Sequence, residues 1–186
     1  MATALLIIDM QSIFTSMTTH ALPNILTLIA YFQRTSRPLI FTQHGHSKQE
    51  LTPPFKNQLV RKWGPDGSIA IGSADWALQP AIADAVKKAG YPVVGKNTYD
   101  AFMNSGLEGM LLQQKVERVV VCGVMTDCCC DTTARSAFNR GFETWLVGDA
   151  CGSASEEQHQ AGLKAFGYAF GPVVETEGVE RALEGL

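Results

Sequence analysis

The chain has 186 residues, 46% of them hydrophobic and 18% charged, with a formal net charge of −3. That length suits a single domain over residues 1–186, with enough chain to bury a substantial core. The charge balance offers no field for nucleic acid or an anionic membrane surface, which leaves small molecules as the expected partners.

The first apolar run, Ala4 to Ile8, is cut by Asp9 and has no basic leader, so it reads as a strand, neither a signal peptide nor a membrane span. Leu22, Ile25, Leu26, Ile29 and Phe32 follow at helical spacing, with Pro23 suited to a first turn. Pro38 to Thr42 is a second strand-like run. From Gln43 to Ala77 the chain is irregular, punctuated by Gly45, Pro53, Pro54, Gly64, Pro65, Gly67 and Gly72, and it is long enough to form a lid or pocket wall. Leu78, Ile82, Ala85, Val86 and Ala89 restore a helical face, and Gly90 stands where a helix end favours a left-handed residue. Pro92 to Val94, Val119 to Cys122, Thr144 to Val147 and Pro172 to Val174 complete the strand-like series. A capping box at Ser155 to Gln158 opens a further helix with Ala161, Leu163 and Phe166. The strand runs are continuous rather than alternating, as in strands covered on both faces, and helices separate them. The pattern predicts an α/β domain, a parallel sheet wrapped by helices.

In such a sheet ligands bind beyond the carboxyl ends of the strands. Asp9, Gln43 with His44, Lys96, Gly123 to Asp127, and Asp149 hold those places. After the fourth strand comes Cys128-Cys129-Cys130, where a helix is expected to begin. A thiol in a first helical turn faces unpaired N–H groups and the positive end of the helix dipole, and both favour the thiolate. Neighbours on a helix point about 100° apart, so one of the three faces the cleft and the others behave as small buried hydrophobes. The 5 cysteines form neither zinc-type pairs nor a disulfide framework, which points to a reducing, cytoplasmic setting. A carboxylate, an ammonium and a thiol converging at strand ends make a catalytic unit in which the acid moves protons and the cation stabilises anions.

Three ordered motifs spread over nearly the whole chain resemble those of the isochorismatase-like cysteine hydrolases. They are Ala4-Leu5-Leu6-Ile7-Ile8-Asp9-Met10-Gln11, Lys96-Asn97-Thr98-Tyr99-Asp100-Ala101-Phe102, and Gly123-Val124-Met125-Thr126-Asp127 with Cys129 and Thr133-Ala134-Arg135. The resemblance implies a three-layer αβα fold whose six-stranded, mainly parallel sheet runs in the order 3-2-1-4-5-6. It implies Asp9, Lys96 and Cys129 as the catalytic residues, with Cys128 and Cys130 in the core. It further implies a cis peptide between Val124 and Met125, and an oxyanion hole formed by the N–H groups of Met125 and Cys129. Gln43, His44, Trp63, Tyr99 and Phe102 are expected in the pocket wall, and Trp76 as cover over the sheet edge. The implied chemistry is thioester-forming hydrolysis of an amide, ureide or related C–N bond without a cofactor, in a homo-oligomer.

Nicotinamidase members of the superfamily carry a metal site with an Asp-x-His pair after the second strand. This chain has His44-Gly45-His46 there, and its remaining histidines are His20 and His159. With no carboxylate expected beside the pair, no metal is predicted and nicotinamide is disfavoured as substrate. Asp100 departs from the Ser or Thr common in the lysine motif. Vinyl-ether cleavage with Asp9 as acid is the alternative chemistry. A non-catalytic binding or interaction module and a redox sensor built on the cysteine triplet are the readings outside hydrolysis.

Overall fold

The computed structural model describes residues 1–185. The first apolar run folds as β1 (Thr3–Ile8), with every residue buried. Short helix α1 (Thr15–Thr18) and the 13-residue α2 (Leu22–Arg34) follow; α2 carries its proline in the first turn and buries Ile25, Leu28, Ile29, Tyr31 and Phe32. Burying each of these large side chains contributes about 1.5–3 kcal/mol against leaving it in water. β2 (Leu39–His44) leads into the irregular region, which contains one short helix, α3 (Gln58–Trp63). α4 (Pro80–Ala89) ends at Gly90 in the left-handed conformation, and β3 (Val93–Lys96) follows. Then come α5 (Leu107–Gln113), β4 (Arg118–Val124), a π-helical turn over Thr126–Cys130, and α6 (Asp131–Asn139). The chain closes with β5 (Glu143–Gly152), α7 (Glu156–Ala169), β6 (Val173–Val174) and α8 (Thr176–Glu184). Ser155 caps α7 by accepting from the Gln158 N–H at 3.2 Å.

The six strands form one sheet in the order β3-β2-β1-β4-β5-β6, and every pairing is parallel. The strand order reverses between β1 and β4, so a crevice opens beyond Ile8 and Val124. Both strands are buried throughout, which explains their unbroken apolar runs. Where they cross, Gly123 (φ 119°) leaves no room for a side chain: a Cβ there would lie 2.2 Å from the Ile8 carbonyl oxygen.

The sequence pattern ends the fifth strand at Val147 and places Asp149 at the cleft. In the structure β5 runs on to Gly152, with a register shift against β4 between Val121 and Gly123. Asp149 serves elsewhere. Its Oδ1 accepts from the N–H and the hydroxyl of Thr176, both at 2.9 Å, and so holds the start of α8. No helix among the described residues is long and apolar enough to cross a membrane.

Candidate active site

Asp9 leaves β1 with φ 47°, a left-handed turn that a non-glycine residue rarely adopts. Thr42, at the neighbouring position on β2, holds it from two sides. The hydroxyl accepts from the Asp9 N–H at 3.1 Å and donates to Oδ1 at 2.7 Å. The other carboxylate oxygen meets the Lys96 ammonium at 2.6 Å, with both side chains fully buried. That contact is an ion pair outside hydrogen-bond alignment, and Oδ2 has no aligned donor among the described residues. Lys96 gives its aligned hydrogen bonds to the Thr98 carbonyl at 3.0 Å and to the Cys129 sulfur at 3.3 Å. The carboxylate, the ammonium and the thiol are thus contiguous, although Lys96 is far from both partners in sequence.

Cys129 lies in the π-helical turn rather than in an α-helical first turn. Such turns add a residue to the helix and recur at functional sites, where the extra residue re-aims a side chain. The turn is anchored by Thr126, whose hydroxyl donates to the Gly152 carbonyl at 3.0 Å and lies 2.8 Å from His159 Nδ1. Asp127 takes a short hydrogen bond from Ser153. Gly162 of α7 packs so closely that a Cβ there would lie 3.0 Å from the Asp127 Cα. The peptide bond between Val124 and Met125 is cis.

The electrostatics correct the expectation of a resting thiolate. Burial pushes the Cys129 thiol well above its ordinary range; Lys96 pulls it down, but the Asp9 carboxylate pushes it up again. Burial pulls Lys96 down, yet the attraction of Asp9 and Cys129 outweighs it and holds the ammonium above the usual lysine range. The helix terminus favours the thiolate in isolation, but desolvation costs a buried anion more than a dipole returns. The resting unit is a neutral thiol beside a charged pair.

The other cysteines divide. Cys130 is fully buried, as expected of a core residue. Cys128, expected there too, is only partly buried because the turn rotates it toward the surface; burial and then Asp127 push its thiol up to about 11. Iodoacetamide near neutral pH is therefore expected to label Cys129 before Cys128, despite the greater exposure of Cys128. Both thiols rest protonated, so the order is set by the Asp9–Lys96 pair in contact with Cys129, which can take the proton and stabilise the sulfur as it reacts, whereas Cys128 has no such pair beside it. Peptide mapping of the alkylated protein checks this, and faster labelling of Cys128 would remove Cys129 as the activated thiol.

The expected pocket wall is partly rearranged. Trp63 is 56% exposed, and its indole N–H donates to the Tyr99 hydroxyl at 3.0 Å. The Tyr99 carbonyl accepts from the Thr133 hydroxyl at 3.3 Å, so this pair sits against the start of α6, the helix that follows the Cys129 turn, and forms a rim on the thiol side. Phe102 belongs to the buried core cluster. The Ala101 N–H is tied to the Thr133 hydroxyl at 3.1 Å, and Phe102 turns inward to stack on Phe142 at 6.1 Å. A cavity of about 280 Å³ is lined by Gln43, Glu50, Trp76, Lys96 and Asn97, among others, and neither Asp9 nor Cys129 reaches it. It adjoins the edge strand β3, and Trp76 is one of its walls rather than a cover.

His44 is buried beside the ion pair; burial and then the Lys96 charge lower its pKa to about 4, so it is neutral at working pH. Its ring meets that of His46 edge-on, with centroids 4.9 Å apart. Contrary to the sequence expectation, a carboxylate does stand beside the pair: Glu50 Oε1 is 3.6 Å from His46 Nδ1. Both Nδ1 atoms lack hydrogen-bond partners among the described residues. Glu50, however, already accepts from Ser47, Asn57 and Asn97. Two imidazoles alone fall short of the first shell of a transition metal, and the Glu50 oxygens are turned to these donors. Among the described residues no group of three or more His, Cys, Asp or Glu is arranged to hold a metal ion.

Thr42, Gln11 and Glu50 are the residues that sequence reasoning missed. Gln11 imitates a strand: its amide accepts from the His44 N–H at 2.8 Å and donates to the His44 and Trp76 carbonyls, both at 2.9 Å. Its place two residues after Asp9 in the first motif was the available signal.

Comparison with known proteins identifies the family. The family model described as the isochorismatase domain matches residues 3–178. Nicotinamidase 3 of Arabidopsis thaliana is 37% identical over 98% of this chain and 89% of its own length. Enterobactin synthase component B of Escherichia coli is 30% identical over 94% of this chain, which spans 61% of that longer protein. A cysteine hydrolase from Pseudomonas syringae pv. phaseolicola shares the fold with a TM-score of 0.86 at 23% identity, over 98% of this chain and 92% of its own. With its motifs, its sheet order and a family match over nearly its full length, this chain belongs to the isochorismatase family of hydrolases.

Proposed function

We propose that the chain hydrolyses the C–N bond of a small amide or ureide through a thioester on Cys129. The observation that carries this reading is the contiguity of Asp9, Lys96 and Cys129, at 2.6 Å and 3.3 Å through the lysine. Asp9 takes the thiol proton as sulfur attacks the substrate carbonyl, so the thiolate forms only as its charge passes to the substrate oxygen. The N–H groups of Met125 and Cys129 receive that oxyanion. Collapse breaks the C–N bond, and Asp9 returns the proton to the departing nitrogen. Water then attacks the thioester; Asp9 takes one of its protons and the thiol is restored as the acid leaves. Lys96 stays charged throughout and holds the carboxylate in reach of each proton. The likeness to a nicotinamidase supports an amide over a vinyl ether.

The test is a panel of small amides, ureides and isochorismate with product identification. Nicotinamide is included, since the relative's name brings it back despite the histidine pattern. Release of ammonia or an amine from at least one C–N substrate is expected, and turnover is expected to survive exhaustive EDTA treatment with metal content measured on the same sample. Cleavage of isochorismate alone would establish the vinyl-ether reading. Activity lost on chelation and restored by zinc, iron or manganese would make His44 and His46 a metal site.

A further inference from the structure

The segment between β2 and α3 is joined to the end of β3 at one carboxylate. Glu50 Oε2 accepts from the Ser47 N–H at 2.9 Å and the Ser47 hydroxyl at 3.0 Å, while Oε1 accepts from Asn57 Nδ2 at 3.0 Å and Asn97 Nδ2 at 2.7 Å. Each amide reaches further. Asn57 also donates to the Asn97 carbonyl at 3.0 Å, and its Oδ1 accepts from the Leu59 N–H at 2.8 Å, which caps α3. α3 ends at Trp63, whose indole N–H meets the Tyr99 hydroxyl. Asn97 directly follows Lys96, and the next carbonyl, that of Thr98, accepts from the Lys96 ammonium.

We infer that Glu50 is a positioning residue for the reaction: through Asn97 it fixes the strand end that aims Lys96, and through Asn57 it fixes α3 and the Trp63–Tyr99 rim beside Cys129. This rests on the functional reading above and adds a specific residue to it. Burial works against the Glu50 charge, but the hydrogen bonds from Ser47, Asn57 and Asn97 prevail and bring its pKa down to about 2. The hub is therefore a carboxylate at any working pH. Charge matters here because the four hydrogen bonds to the two oxygens all come from donors, while His46 Nδ1 stands off at 3.6 Å. A glutamine turns an NH₂ toward one pair of donors whichever way it is placed, and breaks either the Ser47 turn or the amide bridge.

The test compares Glu50→Gln with Ser47→Ala and Asn97→Ser. Ser47→Ala removes only a hydroxyl from the turn side, whereas Asn97→Ser cuts the link to the lysine strand and leaves the rest of the hub. Turnover on the best panel substrate, the Cys129 alkylation rate and Trp63 fluorescence are read alongside circular dichroism and thermal melting. Glu50→Gln and Asn97→Ser are expected to lose about 10- to 100-fold in kcat, the scale of a displacement near 1 Å at the reacting groups. Their Cys129 alkylation should slow, and Ser47→Ala should stay within about threefold of wild type on both counts. Trp63 emission should change in Glu50→Gln, where the amide bridge is weakened. Wild-type kcat and alkylation in Asn97→Ser would overturn the proposal, as would equal losses in Ser47→Ala and Glu50→Gln. If Glu50→Gln fails to fold, Asn97→Ser decides. If the wild type turns over no panel substrate, the functional reading fails, and the alkylation rates and fluorescence judge this inference alone.

Discussion

Cys129→Ala is expected to lower kcat for C–N hydrolysis by at least about 10⁴-fold, the scale of removing the nucleophile from an acyl-transfer unit. The loss is catalytic and not a failure to fold. The change removes one sulfur from a residue 8% exposed, and Lys96 keeps its contacts with Asp9 and the Thr98 carbonyl. A stability cost of about 1 kcal/mol is the ordinary scale for such a truncation. Cys128→Ala is expected to retain turnover within a few-fold, since its partly exposed thiol has no contact with the ion pair. Mass spectrometry of wild-type enzyme quenched during turnover should find the acyl group on the peptide carrying Cys129. If Cys129→Ala still cleaved the natural substrate at the wild-type rate, no thioester would lie on the pathway, and acid-assisted cleavage by Asp9 would take its place.

The candidate catalytic positions were legible for a reason that belongs to parallel sheets. Each stands at or just beyond the carboxyl end of a strand, where such sheets gather their ligand-binding groups; β1 and β4 are buried throughout and betray themselves as unbroken apolar runs, whereas β3 is an edge strand buried only at alternate residues. Asp9 and Lys96 fit that rule, and the sheet order brings them together. Cys129 needed the motif resemblance, because spacing alone leaves three candidates in the triplet. What stayed hidden rests on side-chain bonds across long loops. Thr42 looks like any strand threonine until its hydroxyl is seen to close on Asp9, 33 residues away. Glu50 reaches Asn97 across 47 residues, and no periodicity marks either partner.

The errors have the same origin. Phe102 was expected in the pocket wall because it shares a motif with Lys96, yet it is buried in the core and stacks on Phe142. The thiolate was expected from a helix terminus, a local feature, whereas the protonation of Cys129 is decided by burial and by Asp9, which arrives from another strand. Local pattern located the groups; tertiary contact decided their states.

Asp9→Asn separates the two services of that carboxylate, moving protons and balancing Lys96. Asparagine can still accept from Thr42 through Oδ1, so the turn after β1 keeps its hydrogen bond, but it neither takes the thiol proton nor carries charge. The rate is expected to fall by about 10²- to 10⁴-fold, the range assigned to positioned proton transfer. The fold is retained at a cost the sequence did not foretell. Lys96 becomes an unpaired buried cation, and breaking such a pair costs about 3–5 kcal/mol. The pH dependence follows from the signs. In the wild type the Lys96 pKa is raised above its ordinary 10.5, so the pair's contribution is complete below that value and is lost as pH rises through the folded value. In Asp9→Asn the largest influence raising Lys96 is gone and Cys129 is a neutral thiol, so burial is expected to depress the lysine, and the variant then gains stability relative to its unfolded chain as pH rises toward 10.5. The stability gap is therefore expected to be widest near neutral pH and to narrow in alkali, which denaturant titrations of both proteins between pH 7 and pH 10 would measure. Adding Lys96→Met to Asp9→Asn should recover most of the lost stability, because the uncompensated charge is gone, while turnover stays at the level of the single variant or below. A gap that stayed constant with pH, or a double variant no more stable than Asp9→Asn, would mean that Lys96 is not held as a buried cation by Asp9.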